Sequence, residues 1–166
     1  MDEAIQIYSL LVSLHKDSKM AVRANIYNNL GGVYFNQQEY KKAGQNYLMA
    51  MAILEESAKG KADSTKLATT YNNIAEIYRV NNNFTFAISF FKKALEIDKI
   101  ILGDDHLTTA VDHNNLANAY LNSNDLTSAL DHYKISYTVI ASRMGKDDPN
   151  AQVLRSNITY LEKELE

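Results

Sequence analysis

Three pairs of adjacent asparagines recur along the chain and offer the side chains best suited to hold another molecule. They are Asn28-Asn29, Asn72-Asn73 and Asn114-Asn115, which lie 44 and then 42 residues apart. A carboxamide carries both a hydrogen-bond donor and an acceptor. It can therefore pair with the N–H and C=O groups of an extended peptide regardless of the peptide's sequence. A fourth, degraded copy of the surrounding motif includes Asn157.

Motifs for catalysis or metal binding are missing from the sequence. Cysteine is absent, and the four histidines do not have the HExxH spacing of a metal site. The sequence has no phosphate-binding loop and no serine elbow. Two acidic pairs, Asp104-Asp105 and Asp147-Asp148, are expected at helix starts, where carboxylates favour the helix dipole. We therefore expect neither an enzyme nor a bound cofactor or metal.

Composition narrows the class of partner. Among 166 residues, 46% are hydrophobic and the net charge is −3, with no cluster of Lys and Arg. Nucleic-acid binding needs a clustered basic face, so no nucleic-acid partner is expected. No apolar run approaches the roughly 20 residues that span a bilayer, so membrane insertion is not expected. The acidic start and the lack of cysteine favour a cytoplasmic location.

Helices must position the asparagines, because apolar residues recur every three to four positions and no period-2 alternation is present. The pattern predicts an all-α fold of about eight helices, with Asp63 or Ser64, Asn83, Asp125 and Asp148 as N-caps. We expect a single array over residues 1–166. It consists of a half repeat at 1–18, repeats at about 24–59, 68–102 and 110–144, and a terminal helix at about 148–165.

The repeat resembles the tetratricopeptide repeat over nearly the whole chain. In the central copy, the first-helix pattern falls on Tyr71, Ile74-Ala75 and Tyr78. The second-helix pattern falls on Phe84, Ala87, Phe91, Ala94 and Leu95, and two further copies match in phase. The long period, with the Asn-Asn pairs and the run from Gly103 to Ala110, is similar to the kinesin-light-chain type of 42 residues. The resemblance implies a right-handed α-solenoid of antiparallel helix pairs, a superhelix whose first helices line a concave groove.

The resemblance also implies that the amides serve a peptide-binding groove. We expect the second asparagine of each pair to face the groove, and further contacts three, four or seven residues along; the alternative is that the amides bond neighbouring helices. Arg79 could hold a carboxylate with two hydrogen bonds, or instead pair with Glu76. Gly32 would leave space, and Asn157 could extend the row. The predicted peptide-binding residues are Asn29, Asn73, Asn115, Asn36, Glu76, Arg79, Asn118 and Asn122.

The function predicted from these features is a non-catalytic adaptor that binds an extended segment of another protein. The cationic clamp of chaperone-type family members is not expected, because the matching places carry Asn and apolar residues. The alternative is a structural subunit of a larger assembly that self-associates through apolar end faces. Those faces are predicted around Ile5 and Leu10 at one end and Leu154 and Leu161 at the other. The tyrosines at 34, 78 and 120 are expected in the core.

Overall fold

The computed structural model describes residues 2–14, 20–57 and 61–166, and these residues form helices and turns without a strand. Eight helices lie in these ranges, as the sequence predicted. No described helix is both long and apolar enough to cross a membrane. The helices are α1 (Asp2–Leu14), α2 (Met20–Asn36), α3 (Tyr40–Ser57), α4 (Lys61–Val80), α5 (Phe84–Leu102), α6 (Leu107–Asn122), α7 (Leu126–Met144) and α8 (Pro149–Glu164).

The same tight turn joins α2 to α3, α4 to α5 and α6 to α7. In each turn one residue has a positive φ: 62° at Gln38, 59° at Asn82 and 65° at Asn124. Asparagine tolerates this left-handed conformation better than most residues. A backbone N–H after the turn then donates to the carbonyl of a tyrosine five residues back, at 2.8–3.0 Å in all three copies. The repeat in sequence is therefore also a repeat in backbone geometry.

Local capping fixes most helix starts. The side chains of Asn83, Asp125 and Asp148 accept hydrogen bonds from backbone N–H groups of the first turns of α5, α7 and α8, as predicted. The prediction for α4 is wrong, because α4 begins at Lys61 and so contains Asp63 and Ser64. Before α6 the cap is a histidine, His106, whose Nδ1 accepts from Thr108 N at 3.1 Å.

Two glycines end helices at the predicted period. Gly103 follows α5 with φ of 93°, and Gly145 follows α7 with φ of 98°. Residues with a Cβ rarely adopt this conformation, so glycine suits both positions. Gly60, the earlier member of the series, lies outside the described residues. The predicted punctuation between repeats is thus confirmed at its two later sites.

The chain divides into two compact units, Met1–Ile77 and Tyr78–Glu166, and each has its own core. Alanines are fully buried at the positions where the repeat pattern asks for small residues, which lets two helices approach closely. Aromatic rings fill the space beside them, Tyr47 in the first unit and Phe91 and Tyr133 in the second. The buried small residues of the pattern are Ala43, Ala50 and Ala75 in the first unit, and Ala87, Ala94, Ala117 and Ala129 in the second.

The prediction that Tyr34, Tyr78 and Tyr120 lie in the core is wrong, because all three are only half-buried. Their rings pack on neighbouring aromatic rings instead of entering the core. Tyr78 stacks on Phe90 with ring centroids 5.7 Å apart, and Tyr120 stacks on His132 at 5.5 Å. These three tyrosines end the first helix of each pair, where one side of the ring meets solvent.

Candidate functional site

In the first unit, Asn29 of α2 and Asn73 of α4 line one polar groove. The groove has a volume of about 350 Å³ and is walled by side chains that can donate or accept hydrogen bonds. Asn29 is exposed and Asn73 is half-buried. The structure thus brings together two of the three predicted ladder amides that it could bring together within this unit. The remaining lining residues are Asn25, Asn28, Lys66 and Thr69.

The two asparagines of the first pair have different surroundings. Asn28 Nδ2 donates to Thr70 Oγ1 at 2.6 Å, and that hydroxyl donates to the carbonyl of Lys66 at 2.8 Å. Asn28 therefore ties α2 to α4. Among the described residues, the side chains of Asn29, Asn73 and Asn115 make no hydrogen bond. Both alternatives from the sequence thus have a counterpart here, one for each member of the pair.

In the second unit, Asn114 of α6 lies at an apolar pocket of about 290 Å³ between α6, α7 and α8. The lining contains no charged side chain, and its apolar residues are unusually open to solvent, with Met144 57% and Val153 60% exposed. Asn115, the predicted contact, is half-buried on the same helix. The full lining is Leu107, Val111, Asn114, Ile140, Met144, Asn150, Val153 and Leu154.

The polar groove and the apolar pocket occupy corresponding places in the repeats. Asn25 and Val111 each lie three residues before the first asparagine of a pair, at Asn28 and Asn114. Thr69 precedes Asn72 by the same step, and Val153 stands 42 residues after Val111. The sequence analysis missed this position, although reading down it, from Asn and Thr to Val and Val, would have revealed the change of character.

Asn118 and Asn157 hold a core ring in place. Asn118 Oδ1 accepts a hydrogen bond from the Tyr133 hydroxyl at 2.6 Å, and Asn157 is a second hydrogen-bond partner of that hydroxyl. Tyr133 itself is fully buried, and burial raises its pKa. These two amides therefore have a structural role in satisfying a buried hydroxyl.

The other predicted contacts are spread along the first helices. Asn36 and Asn122 are exposed at the last residues of α2 and α6. Glu76 and Arg79 are half-buried near the end of α4, and each takes part in interactions of its own. A Cβ at Gly32 would have the Tyr47 hydroxyl as its nearest neighbour at 3.8 Å, so this position is open.

A histidine pair fastens α6 to α7 beside the asparagines. Nδ1 of His113 and Nδ1 of His132 are 2.8 Å apart, so one ring donates to the other. Burial, with the positive charges of His132 and Lys99, lowers the pKa of His113 to about 4. Burial and Lys92 also lower the pKa of His132. Both rings are neutral at pH 7. The described residues include no group of three or more acidic or histidine side chains that could hold a metal ion.

Paired helices with tight turns, small residues at the crossings and amides along the first helices define a helical-repeat protein of the protein-interaction class. Models of the tetratricopeptide repeat match residues 23–58 and 66–140, together about two thirds of the chain. The chain belongs to the tetratricopeptide repeat family, as its motifs predicted.

Solved structures show the same fold. BtubC (BKLC) of P. vanneervenii has a TM-score of 0.87 at 23% identity over 95% of this chain and 63% of its own. Nearly identical TPR-like repeats of a Podosopora anserina kinesin light chain give 0.81 at 14% identity, covering 98% and 77%. The N-terminal domain of C. elegans STI-1 gives 0.64 at 24% identity, covering 87% and 98%. The kinesin-light-chain type of repeat is consistent with these matches.

One relative is similar in sequence. It is ycf37 of Cyanophora paradoxa, described as uncharacterized, which is 33% identical over 69 residues. The matched segment is 42% of this chain and 37% of that protein. The chain thus corresponds to a little over a third of this relative and to less than two thirds of BtubC.

Proposed function

We propose that the chain is a non-catalytic, cytoplasmic adaptor that binds an extended segment of another protein along the first helices of its repeats. The observation that carries the proposal is the division of labour between paired asparagines. Asn28 is committed to Thr70, while the amides of Asn29, Asn73 and Asn115 make no hydrogen bond among the described residues. A half-buried amide without a protein partner is suited to a ligand that supplies one.

The chemistry of the two units favours a peptide with an apolar anchor. Amides in the first unit can pair with peptide N–H and C=O groups whatever the side chains are. In the second unit, the pocket beside Asn114 has no charged lining residue, so it favours an uncharged, apolar side chain over a charged one. We expect an affinity near micromolar, about −8 kcal/mol, because the peptide loses conformational freedom when it binds.

Substitution of the three amides should abolish binding without unfolding the protein. We expect Asn29→Ala, Asn73→Ala and Asn115→Ala together to weaken a bound peptide at least tenfold, since each amide forms hydrogen bonds of about 1 kcal/mol. The probe is a twelve-residue peptide selected from a random display library on the wild-type protein, with affinity measured by calorimetry. Circular dichroism checks that the triple variant remains helical.

The matched control destabilises the fold but leaves the three amides intact. Thr70→Val removes the hydroxyl that Asn28 holds, so we expect a loss of about 1–3 kcal/mol in stability. Its peptide affinity should stay within threefold of the wild type. If the triple variant kept wild-type affinity, or if Thr70→Val lost binding equally, the assignment of the groove would be wrong.

A second candidate function, self-association, is favoured by apolar side chains that are open on the first and last helices. Ile7 and Leu10 of α1 are 52% and 58% exposed, and Tyr160 of α8 is 56% exposed. The predicted face at Leu154 and Leu161 is wrong, because both are buried inside the second unit against α7. The face on α8 consists instead of Val153, Tyr160 and Leu165.

Light scattering over a range of concentrations tests self-association. We expect oligomers of the wild type to dissociate when Leu10→Glu or Tyr160→Glu places a charge on the face concerned. Ile100→Glu is the control, because Ile100 is 79% exposed on α5, away from both terminal helices. A wild type that stays monomeric at all concentrations would exclude this candidate and leave the peptide proposal intact.

A further inference from the structure

Two aspartates are buried against each other where α5 meets α6. Asp98 of α5 is 2% exposed and Asp112 of α6 is 1% exposed, and their side chains are hydrogen-bonded to each other. An ionised carboxylate can only accept hydrogen bonds, so two ionised carboxylates have no donor between them. They would also repel each other strongly in a buried site. The contact therefore requires a proton on one of the two carboxyl groups.

The neighbouring charges do not remove this requirement. His106, at the start of α6, is the charge that acts on Asp98, and its effect opposes that of burial. Lys99, next to Asp98 on α5, forms an ion pair with the exposed Asp104 at 3.0 Å. His113 on α6 and His132 on α7 are neutral at pH 7. Arg79 lies before the start of α5, while Asp98 lies four turns into that helix.

We propose that Asp98 and Asp112 share one proton at neutral pH, one carboxyl donating it to the other, and that this proton fastens α5 to α6. Loss of the proton to solvent at alkaline pH leaves two buried negative charges and loosens the contact. Helix α6 also carries Asn114 and Asn115. The inference thus adds a pH-dependent control to the proposed binding site but does not depend on that site being correct.

The direction of the pH effect follows from the protonation states. Burial raises the pKa of Asp98, against the opposing hydrogen bond from Asp112 and the charge of His106. A carboxyl whose pKa is raised on folding holds its proton in the folded state after the unfolded state has lost it. Its contribution to stability is greatest below the unfolded pKa and falls as pH rises toward the folded pKa.

Asp98→Asn tests the shared proton by replacing it with a permanent donor. The amide can donate to Asp112 at any pH, so we expect the midpoint of urea unfolding to rise at pH 8 and to change little at pH 4. Asp112→Asn should behave alike, since either residue can supply the donor. The control is Asp105→Asn, an exposed acid in the loop between the same helices, whose curve should parallel the wild type.

A direct measurement needs no variant to fold. In protein labelled with ¹³C at the aspartate carboxyl carbons, the two buried groups should keep a signal from a protonated carboxyl at pH 7, assigned by its loss in Asp98→Asn. A fully ionised pair at pH 7, or variant and wild-type stability curves that run parallel from pH 4 to 9, would overturn the proposal. Peptide binding that fails while these results hold would count against the proposed function alone.

Discussion

Gly31→Ala destabilises the first unit, although alanine is the better helix former. A Cβ at Gly31 would lie 2.6 Å from both Cδ1 and Cε1 of the Tyr47 ring, well inside van der Waals contact. Tyr47 is 3% exposed and cannot swing away, and its burial raises the pKa of its hydroxyl to about 12. We expect a net loss of about 1–3 kcal/mol, as for other overpacked cores, measured by urea denaturation.

The adjacent glycine provides the matched control. At Gly32 the nearest atom to an added Cβ is the Tyr47 hydroxyl at 3.8 Å, which is ordinary contact. Gly32→Ala should therefore stabilise the protein by roughly 0.5–1 kcal/mol, the gain in helix propensity. Tyr47→Leu should make Gly31→Ala less harmful, because the clashing ring is gone. Equal effects at the two glycines would contradict the packing of α2 against α3.

Acidification below pH 6.5 weakens the second unit through the histidine pair. His113 has a pKa of about 4 in the folded protein, against 6.5 for the free side chain. Between these values the unfolded state binds a proton that the folded state does not, so stability falls as pH falls and is fully present above pH 6.5. We expect His113 to contribute a loss of about 1–3 kcal/mol by pH 4, at about 1.4 kcal/mol for each unit of the shift.

The preceding repeat supplies a replacement that does not titrate in this range. The residues 42 positions before His113 and His132 are Tyr71 and Phe90. A variant with His113→Tyr and His132→Phe should lose less stability than the wild type between pH 6.5 and 4, in urea unfolding at each pH. His15→Gln controls for the loss of a histidine elsewhere. Parallel curves for the wild type and the double variant would show that the pair does not carry this pH dependence.

The helices and most of their ends follow from the sequence because their causes are local. Asn83, Asp125 and Asp148 cap helices through backbone groups two or three residues away, within the reach of a motif. The start of α4 was misplaced because Asp63 and Ser64 are good caps on any local rule, yet α4 begins two residues before the first of them. Helix ends are the least certain part of a sequence-based assignment.

Burial was harder to predict than helix position. Leu154 and Leu161 belong to a helix without a following partner in this chain, which suggested an open face. They are buried because α7 covers that side of α8, while Val153 and Tyr160 lie on the other side. Likewise Tyr34, Tyr78 and Tyr120 recur at a core-like spacing but end their helices half-buried. Spacing identifies a helix face, whereas burial depends on what covers it.

The sequence by itself determined the family, the repeat and the row of asparagines, because each is a pattern of residue types at fixed spacing. Only the tertiary structure separated Asn28, bonded to Thr70 on another helix, from Asn29 beside it. It also brought Asp98 against Asp112 and opened the apolar pocket beside Asn114. These features depend on contacts between helices far apart in the chain, and a one-residue step on a helix turns a side chain by about 100°.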